Sequence, residues 1–375
     1  MKKKKISKLT ILLASSMFAF TSCRNYNKGI LNNASITQDA KFNACTVNIT
    51  IGEFNELGFS LGDSCDIKFS NGYEINDVPY YNGYYVKNSY PVIVAYPSST
   101  NILITYNNTG IWDVAKLSEE DTVSININTE KKYLDTQEAL GQSYYVSRDK
   151  YDSDEEFSNF RALKGGKLKE NLVYRGASPV DNSRNRAKIT DELLEKNQIK
   201  SVVDLADTEE NMESYFADSS FSSKYTKSLY EEGKVLLLGM GSNYGSLTYK
   251  QSVVKGFTHM LETDGPYYIH CMEGKDRTGF VCALLEALMG ATYDEMCEDY
   301  MTTYKNYYKI TKEFTIEKYN AIVNLYFDSF MEELSGISDK EALKNSDYTN
   351  FAKNYLKEGG MSEEKINDLI TLLAK

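Results

Sequence analysis

One stretch restricts the fold of this chain more than any other: Tyr267-Tyr268-Ile269-His270-Cys271-Met272-Glu273-Gly274-Lys275-Asp276-Arg277-Thr278-Gly279. A short apolar run feeds a tight polar loop, and an amphipathic helix is expected at once, from Thr278 to Met289. Strand, polar loop, helix is the layout of an anion cradle, in which successive N–H groups point inward and the helix adds its positive end. Cys271 opens the loop and Arg277 follows six residues later, so a thiol and a guanidinium flank one bound dianion. Such a loop needs a sheet behind it. Ile199 to Leu205 and Val235 to Leu238 are continuous aliphatic runs, as expected of strands covered on both faces. Helix signals lie between and after them: Thr190 to Asn197, Tyr249 to Leu261, and a capping box at Thr292-Tyr293-Asp294-Glu295. Alternating strands and helices predict an α/β domain with a mainly parallel sheet, the loop lying at a strand's C-terminal end.

The rest of the chain is of a different kind. Its 375 residues exceed one comfortable core, so two domains are expected. Lys2 to Lys5, the apolar run Leu9 to Phe20, and the small residues Thr21 and Ser22 before Cys23 read as a secretory leader over 1–23. Residues 24–40, Asn-rich and without periodicity, are expected to be a tether. From 41 to 130 the pattern is period-two: Cys45 to Ile51, Val92 to Tyr96, Ile102 to Tyr106 and Val123 to Ile127, separated by turn formers. That predicts an all-β domain, a sandwich or a barrel. Asn82-Gly83, with tyrosines on both sides, suggests a hairpin with aromatic cross-strand pairs. Cys45 and Cys65 are candidates to pair in an oxidising compartment. Charge enters here: the chain carries −11, and without the five lysines of the leader 37 basic residues face 53 acidic ones, or −16. Such a surface repels nucleic acid, which is excluded as a partner.

The loop chemistry is specific. A cysteine attacks as thiolate, and an ordinary thiol is mostly protonated at neutral pH. Inward N–H groups, the helix N-terminus, Arg277 and Lys275 favour the anion, and the Thr278 hydroxyl is expected to donate to the sulfur. Gly274 and Gly279 are expected to let backbone approach an oxyanion. Arg277 offers a planar fork to two phosphoryl oxygens. Met272, Glu273, Lys275 and Thr278 complete the phosphate-binding set, with Glu273 pointing outward and Lys275 facing the opening. His270 is expected to orient the loop rather than act as a base. The implied reaction is in-line attack of Cys271 on phosphorus and hydrolysis of the thiophosphate, with no metal and no cofactor.

His270-Cys271-x-x-Gly274-Lys275-Asp276-Arg277-Thr278-Gly279 resembles the His-Cys-x5-Arg-Ser/Thr loop of cysteine-dependent phosphatases. Its Gly-Lys-Asp-Arg-Thr-Gly ending is similar to the branch of bacterial secreted tyrosine and dual-specificity phosphatases that also act on phosphoinositides. Tyr174-Arg175-Gly176-Ala177 resembles that branch's arginine-bearing turn, and Val202-Val203-Asp204-Leu205 its following strand. The resemblance implies a tyrosine-phosphatase-like α/β sheet flanked by helices over 131–375, preceded by the small all-β domain. It implies that Arg175 touches the phosphate or braces the loop. It also implies a substrate that is a phosphotyrosine protein or, alternatively, a phosphoinositide or inositol phosphate. The only tryptophan, Trp112, lies in the β region, and Gly239 to Gly245 holds no carboxylate, so the usual Trp-Pro-Asp loop is missing. In the branch the loop aspartate is proposed as general acid, which points to Asp276, with Asp204 or Asp207 as alternatives. Relatives carry an arginine where this chain has Ala206. Cys23 resembles a bacterial lipoprotein cleavage site, which implies lipid attachment and a protein anchored at the outer face of the membrane. A reading of another class is a surface binding lipoprotein whose phosphatase domain is secondary.

Overall fold

A computed structural model describes residues 28–40 and 42–375; the expected leader, Cys23 and the first residues of the tether lie outside the described residues. Seven strands come first: β1 (Ile30–Asp39), β2 (Ala44–Thr50), β3 (Ser64–Phe69), β4 (Glu74–Tyr81), β5 (Pro91–Val94), β6 (Asn101–Tyr106) and β7 (Thr122–Thr129). They close into a barrel in the order β1-β2-β6-β5-β4-β3-β7. Alternate residues fill its interior, among them Val47, Ile67, Phe69, Val78, Ile93, Ile104 and Ile125, with Trp112 packed beside them.

Closure settles the choice between sandwich and barrel, and it corrects three expectations. Residues 30–39 are not a tether: β1 pairs with both β2 and β7 and buries Leu31 and Ile36, so without it the barrel would stay open. Its asparagines mask an alternation too sparse to read. Asn82-Gly83 does not turn a hairpin, because β4 and β5 run parallel and residues 82–90 form the crossing loop. Cys45 and Cys65 are both free thiols, held on strands that are not neighbours.

The second unit is built on a five-stranded sheet in the order β11-β10-β12-β9-β8, with β8 (Arg161–Ala162), β9 (Val173–Gly176), β10 (Ser201–Asp204), β11 (Val235–Leu237) and β12 (Tyr267–His270). Only β8 is antiparallel. Each face is covered: Val173, Val203 and Ile269 join one apolar cluster, whereas Tyr174, Val202 and Tyr268 join another. This two-sided burial is why the strands read as unbroken apolar runs. The helix Asp276–Leu288 is buried on all sides from Thr278 onward, not amphipathic as expected. Its single late charge, Glu286, is buried as well.

The barrel docks on the α/β unit through the helix Leu134–Leu140, which packs against the helix Ile316–Ile322. Two ion pairs bridge them, Lys87–Glu332 at 2.8 Å and Lys318–Glu138 at 2.9 Å. Among the described residues no helix is long and apolar enough to cross a membrane.

Candidate active site

The loop leaves the C-terminal end of the central strand β12, where His270 stands level with Asp204 on β10 and Gly176 on β9. The carbonyls of Cys271 to Lys275 all meet donors, three of them reached by the surrounding scaffold. His270 Nδ1 lies 3.3 Å from Cys271 O and, facing a carbonyl, carries the proton. Ser178 N–H donates to Met272 O at 3.0 Å. The Tyr307 hydroxyl donates to Glu273 O at 2.9 Å. Arg175 Nη2 and Asn159 Nδ2 donate to Gly274 O at 2.9 and 3.2 Å, and Gly279 N–H donates to Lys275 O at 2.8 Å. With the carbonyls turned out, the backbone N–H groups of residues 272–277 meet no acceptor among the described residues. Orphaned donors at a helix N-terminus are what an oxyanion satisfies.

The donors that fix this geometry are themselves buried. Arg175 is fully enclosed and pairs with Asp299, which also accepts from Arg161 Nε at 2.7 Å. Arg175 is therefore placed as a brace beneath the loop, the second of the two roles left open for it, and not at the exposed face of the phosphate-binding set. Tyr307 is held by stacking on Tyr144 and by the Arg186 guanidinium, 4.6 Å from its ring centroid. Gly274 and Gly279 also serve the scaffold. Gly274 has φ +66°, and a Cβ there would stand 2.2 Å from Gly176 O. A Cβ on Gly279 would stand 2.7 Å from the Tyr300 ring. Both glycines permit close packing of the loop on its supports, not approach of a ligand.

Cys271, Arg277 and Thr278 sit above these supports. Cys271 is 4% exposed, and Arg277 Nη1 donates to Met240 O at 2.9 Å, which ties it to the loop after β11. The Thr278 hydroxyl is buried without a hydrogen-bond partner, so the expected bond to the Cys271 sulfur is not formed. An unpaired buried donor beside the cradle is available to an incoming oxygen. Lys275 does not face the opening freely. Its Nζ lies 3.7 Å from Asp276 Oδ2 and 3.8 Å from Glu273 Oε2, near the rings of Tyr304 and Tyr308. Burial works against its charge, but Asp276, Tyr308 and Glu273 hold its pKa well above the ordinary lysine value. Glu273 does not point outward: its carboxylate accepts from the Tyr144 hydroxyl and lies 3.5 Å from Arg184 Nε. Burial raises its pKa, yet Lys275, Tyr144 and Arg184 together bring it below the usual carboxylate range. Asp276 is half exposed at the mouth, and Met272 is also exposed.

Burial pushes the His270 pKa down to about 4, so the ring is neutral and orients Cys271 O. Asp204 and Asp207 form a second buried acidic pair nearby. Burial lifts Asp204 to about 6, and burial together with Asp204 lifts Asp207 to about 7. Asp204 Oδ1 accepts the N–H groups of Ala206 and Asp207, a turn-stabilising role. No group of three or more His, Cys, Asp or Glu among the described residues is gathered to hold a metal. Asn159, Arg161, Ser178, Arg186, Asp299 and Tyr307 were not readable as site residues, since none lies in the motif. No spacing or local pattern in the sequence marks them.

A family model described as the tyrosine phosphatase family matches residues 155–375, more than half of the chain. No curated protein matches. Among solved structures, an uncharacterized conserved protein from Thermotoga maritima is 16% identical over 26% of this chain and 35% of that one, with a TM-score of 0.23. This chain thus spans about a third of that protein's length. The core catalytic domain of the PP-IP phosphatase SIW14 from S. cerevisiae is 18% identical over 48% of this chain and 91% of that one, with a TM-score of 0.28. TpbA from P. aeruginosa, in complex with pTyr, is 15% identical over 49% and 86%, also with a TM-score of 0.28. These overlaps are low, and the description of the fold rests on the strand order and the loop themselves.

Proposed function

The chain belongs to the tyrosine phosphatase family, and on that footing we propose that it hydrolyses phosphomonoesters, protein phosphotyrosine foremost, through a phosphocysteine at Cys271. The observation that carries this reading is the row of unaccepted N–H groups over residues 272–277, with the Cys271 thiol at one end and Arg277 at the other. The Cys271 thiolate forms the S–P bond as the ester O–P bond breaks, and Asp276 gives its proton to the departing oxygen. Water then attacks phosphorus, returns a proton to Asp276, and the S–P bond breaks to restore the thiolate and release phosphate. The N–H row and Arg277 hold the equatorial oxygens throughout, where charge accumulates. Asp276 is favoured over Asp204 and Asp207 because it stands half exposed at the mouth, whereas the other two are buried.

The test is Cys271→Ser assayed on p-nitrophenyl phosphate. Turnover is expected to fall to background with the circular dichroism spectrum unchanged; retained turnover refutes the mechanism. The pairing of Lys275 with Glu273 supports a phosphotyrosine substrate over a polyphosphorylated inositol, since the lysine charge is already countered in part whichever form Asp276 takes. A panel of phosphotyrosine peptides, phosphoinositides and inositol phosphates decides between them. We also propose that the protein belongs to the secreted bacterial branch and is anchored at the outer face of the membrane by a lipid on Cys23. The basic, then apolar, then small-residue leader supports this. Incorporation of labelled fatty acid that survives Cys23→Ala would refute it. Division of the chain near residue 130 into barrel and phosphatase domain is part of the same proposal, supported by the end of β7 at Thr129.

A further inference from the structure

The loop 82–90, which crosses from β4 to the parallel β5, is pinned to the α/β unit. Lys87 Nζ meets both carboxylate oxygens of Glu332 at 2.8 Å, and the pair is largely shielded from solvent. Behind this clasp lies a cavity of about 560 Å³, within the range of small-ligand sites. Tyr81, Tyr85, Val86 and Tyr90 of the barrel form one wall, and Ala321 and Leu325 form the other. Ala321 lies in the helix Ile316–Ile322, and Leu325 falls on the one π-helical turn among the described residues, Val323–Phe327, set within an otherwise α-helical run. Such turns re-aim side chains and recur at functional sites. Here the turn sets Leu325 on the cavity and the next residue, Tyr326, within electrostatic reach of Lys275 and Asp276. Tyr85 does the same from the barrel side: it lines the cavity and feels the charge of Lys275. The cavity therefore neighbours the loop: none of residues 271–279 lines it, but Tyr85 on its wall and Tyr326 beside Leu325 are close enough to Lys275 to feel its charge.

We propose that this cavity is a specificity pocket that takes a large apolar side chain flanking the phosphotyrosine of a peptide substrate, so that the barrel selects substrates for the phosphatase domain. The proposal rests on the phosphatase reading above. The uncharged lining is mainly aromatic and aliphatic, and the two charged side chains there are already paired, Lys87 with Glu332 and Asp77 with Lys132, which suits one bulky apolar side chain and not a second phosphate. The excess of acid over base in the chain disfavours an anionic lipid surface as the source of that apolar group. An extended peptide advances about 3.3 Å per residue, so side chains within a few positions of the phosphotyrosine reach the adjoining surface.

The test compares phosphotyrosine peptides that carry Ala, Leu or Trp at each of the three positions on either side. Wild-type protein is expected to favour an apolar residue at one position about tenfold in kcat/KM, mostly through KM, as burial of one large side chain predicts. Val86→Asp and Tyr90→Ser are each expected to bring that ratio close to one. Equal kcat/KM across the series, with p-nitrophenyl phosphate still hydrolysed, overturns the pocket and leaves the phosphatase reading standing. The pocket is likewise overturned if long-chain phosphoinositides are preferred over their soluble headgroups by a margin that Val86→Asp abolishes, since the occupant is then an acyl chain. If nothing is hydrolysed, the phosphatase reading has failed. Binding of the same peptides to Cys271→Ser protein then measures flank preference without turnover, and a flat series there overturns the pocket as well.

Discussion

Asp299→Asn is the substitution that most directly tests the buried bracing of the loop. The Asp299 carboxylate accepts from Arg161 Nε at 2.7 Å and pairs with Arg175, while its backbone carbonyl accepts from Arg161 Nη2 at 2.8 Å. Arg175 is wholly enclosed, its Nε already lacks a partner, and its remaining bond is to Gly274 O. Neutralising Asp299 leaves two guanidiniums close together without a counter-charge. Removing one member of a buried ion pair costs about 3–5 kcal/mol. For a domain of this size that is a fall of about 6–20 °C in Tm. One compensation is foreseeable. Glu286 is buried nearby, and burial followed by the charge of Asp299 holds its pKa well above the usual range, which disfavours its charged form. Without Asp299 it can ionise toward the arginines, and Asp299→Asn/Glu286→Gln closes that route. Circular dichroism at 222 nm follows the helices, which lie mostly in the α/β unit, while fluorescence of the sole tryptophan, Trp112, follows the barrel separately. The expected result is a loss confined to the helical signal. It is accompanied, at temperatures where the protein is folded, by a fall of about 10–100-fold in kcat/KM as Gly274 O loses its fixed donor. If the double variant melts within about 1 kcal/mol of wild type and keeps its kcat/KM, Arg175 and Asp299 do not brace the loop, and the reasoning fails.

Other consequences follow from the same geometry. Gly274→Ala forces a side chain into a left-handed conformation and against Gly176 O, so a loss of at least about 2 kcal/mol in urea denaturation and a collapse of activity are expected. Asp207, with its pKa raised to about 7, holds a proton in the fold that the unfolded chain releases near pH 4, so stability falls as pH rises from about 4 to 7. Asp207→Asn should flatten that slope, raising Tm at pH 8 while leaving it nearly unchanged at pH 4.5; an unchanged slope by calorimetry argues against the assignment. Asp276→Asn should slow hydrolysis of esters with poor leaving groups by about 10²–10⁴-fold and p-nitrophenyl phosphate far less, and equal effects on both would remove Asp276 as the acid.

The parallel sheet was legible because its strands are short, aliphatic and buried on two faces, and the catalytic loop because its residues are contiguous. The barrel was legible as alternation in β2, β6 and β7, but not as closure. Closure depends on β1, in which Asn32 and Asn33 interrupt the inward residues, and on the parallel pairing of β4 with β5, which a tyrosine-flanked Asn-Gly disguises as a hairpin. Within the loop, residue identity misled wherever a side chain had a buried partner far away in sequence. Lys275 and Glu273 look like rim charges until Tyr144, Arg184 and Tyr308 are placed around them. Arg175 looks like a phosphate ligand until Asp299, 124 positions on, is found against it.

That pattern has a physical origin. A loop can point its N–H groups at a ligand only if its carbonyls are satisfied on the other side, and this stretch supplies only two of those donors itself, His270 for Cys271 O and Gly279 for Lys275 O. The others come from elsewhere: Ser178 from the turn after β9, Arg175 from β9, Asn159 from the turn before β8, and Tyr307 from the helix Tyr293–Tyr308. Each needs its own support, which is why Arg186 is buried and Asp299 and Arg161 are largely shielded as well. The motif therefore names the atoms proposed to react, whereas the rest of the α/β unit determines which way they face. A chain with an intact Cys271-to-Arg277 motif but without Arg175 or Asn159 would leave Gly274 O unsatisfied. Its peptide plane would be free to rotate, removing an N–H from the cradle and the geometry on which in-line attack depends.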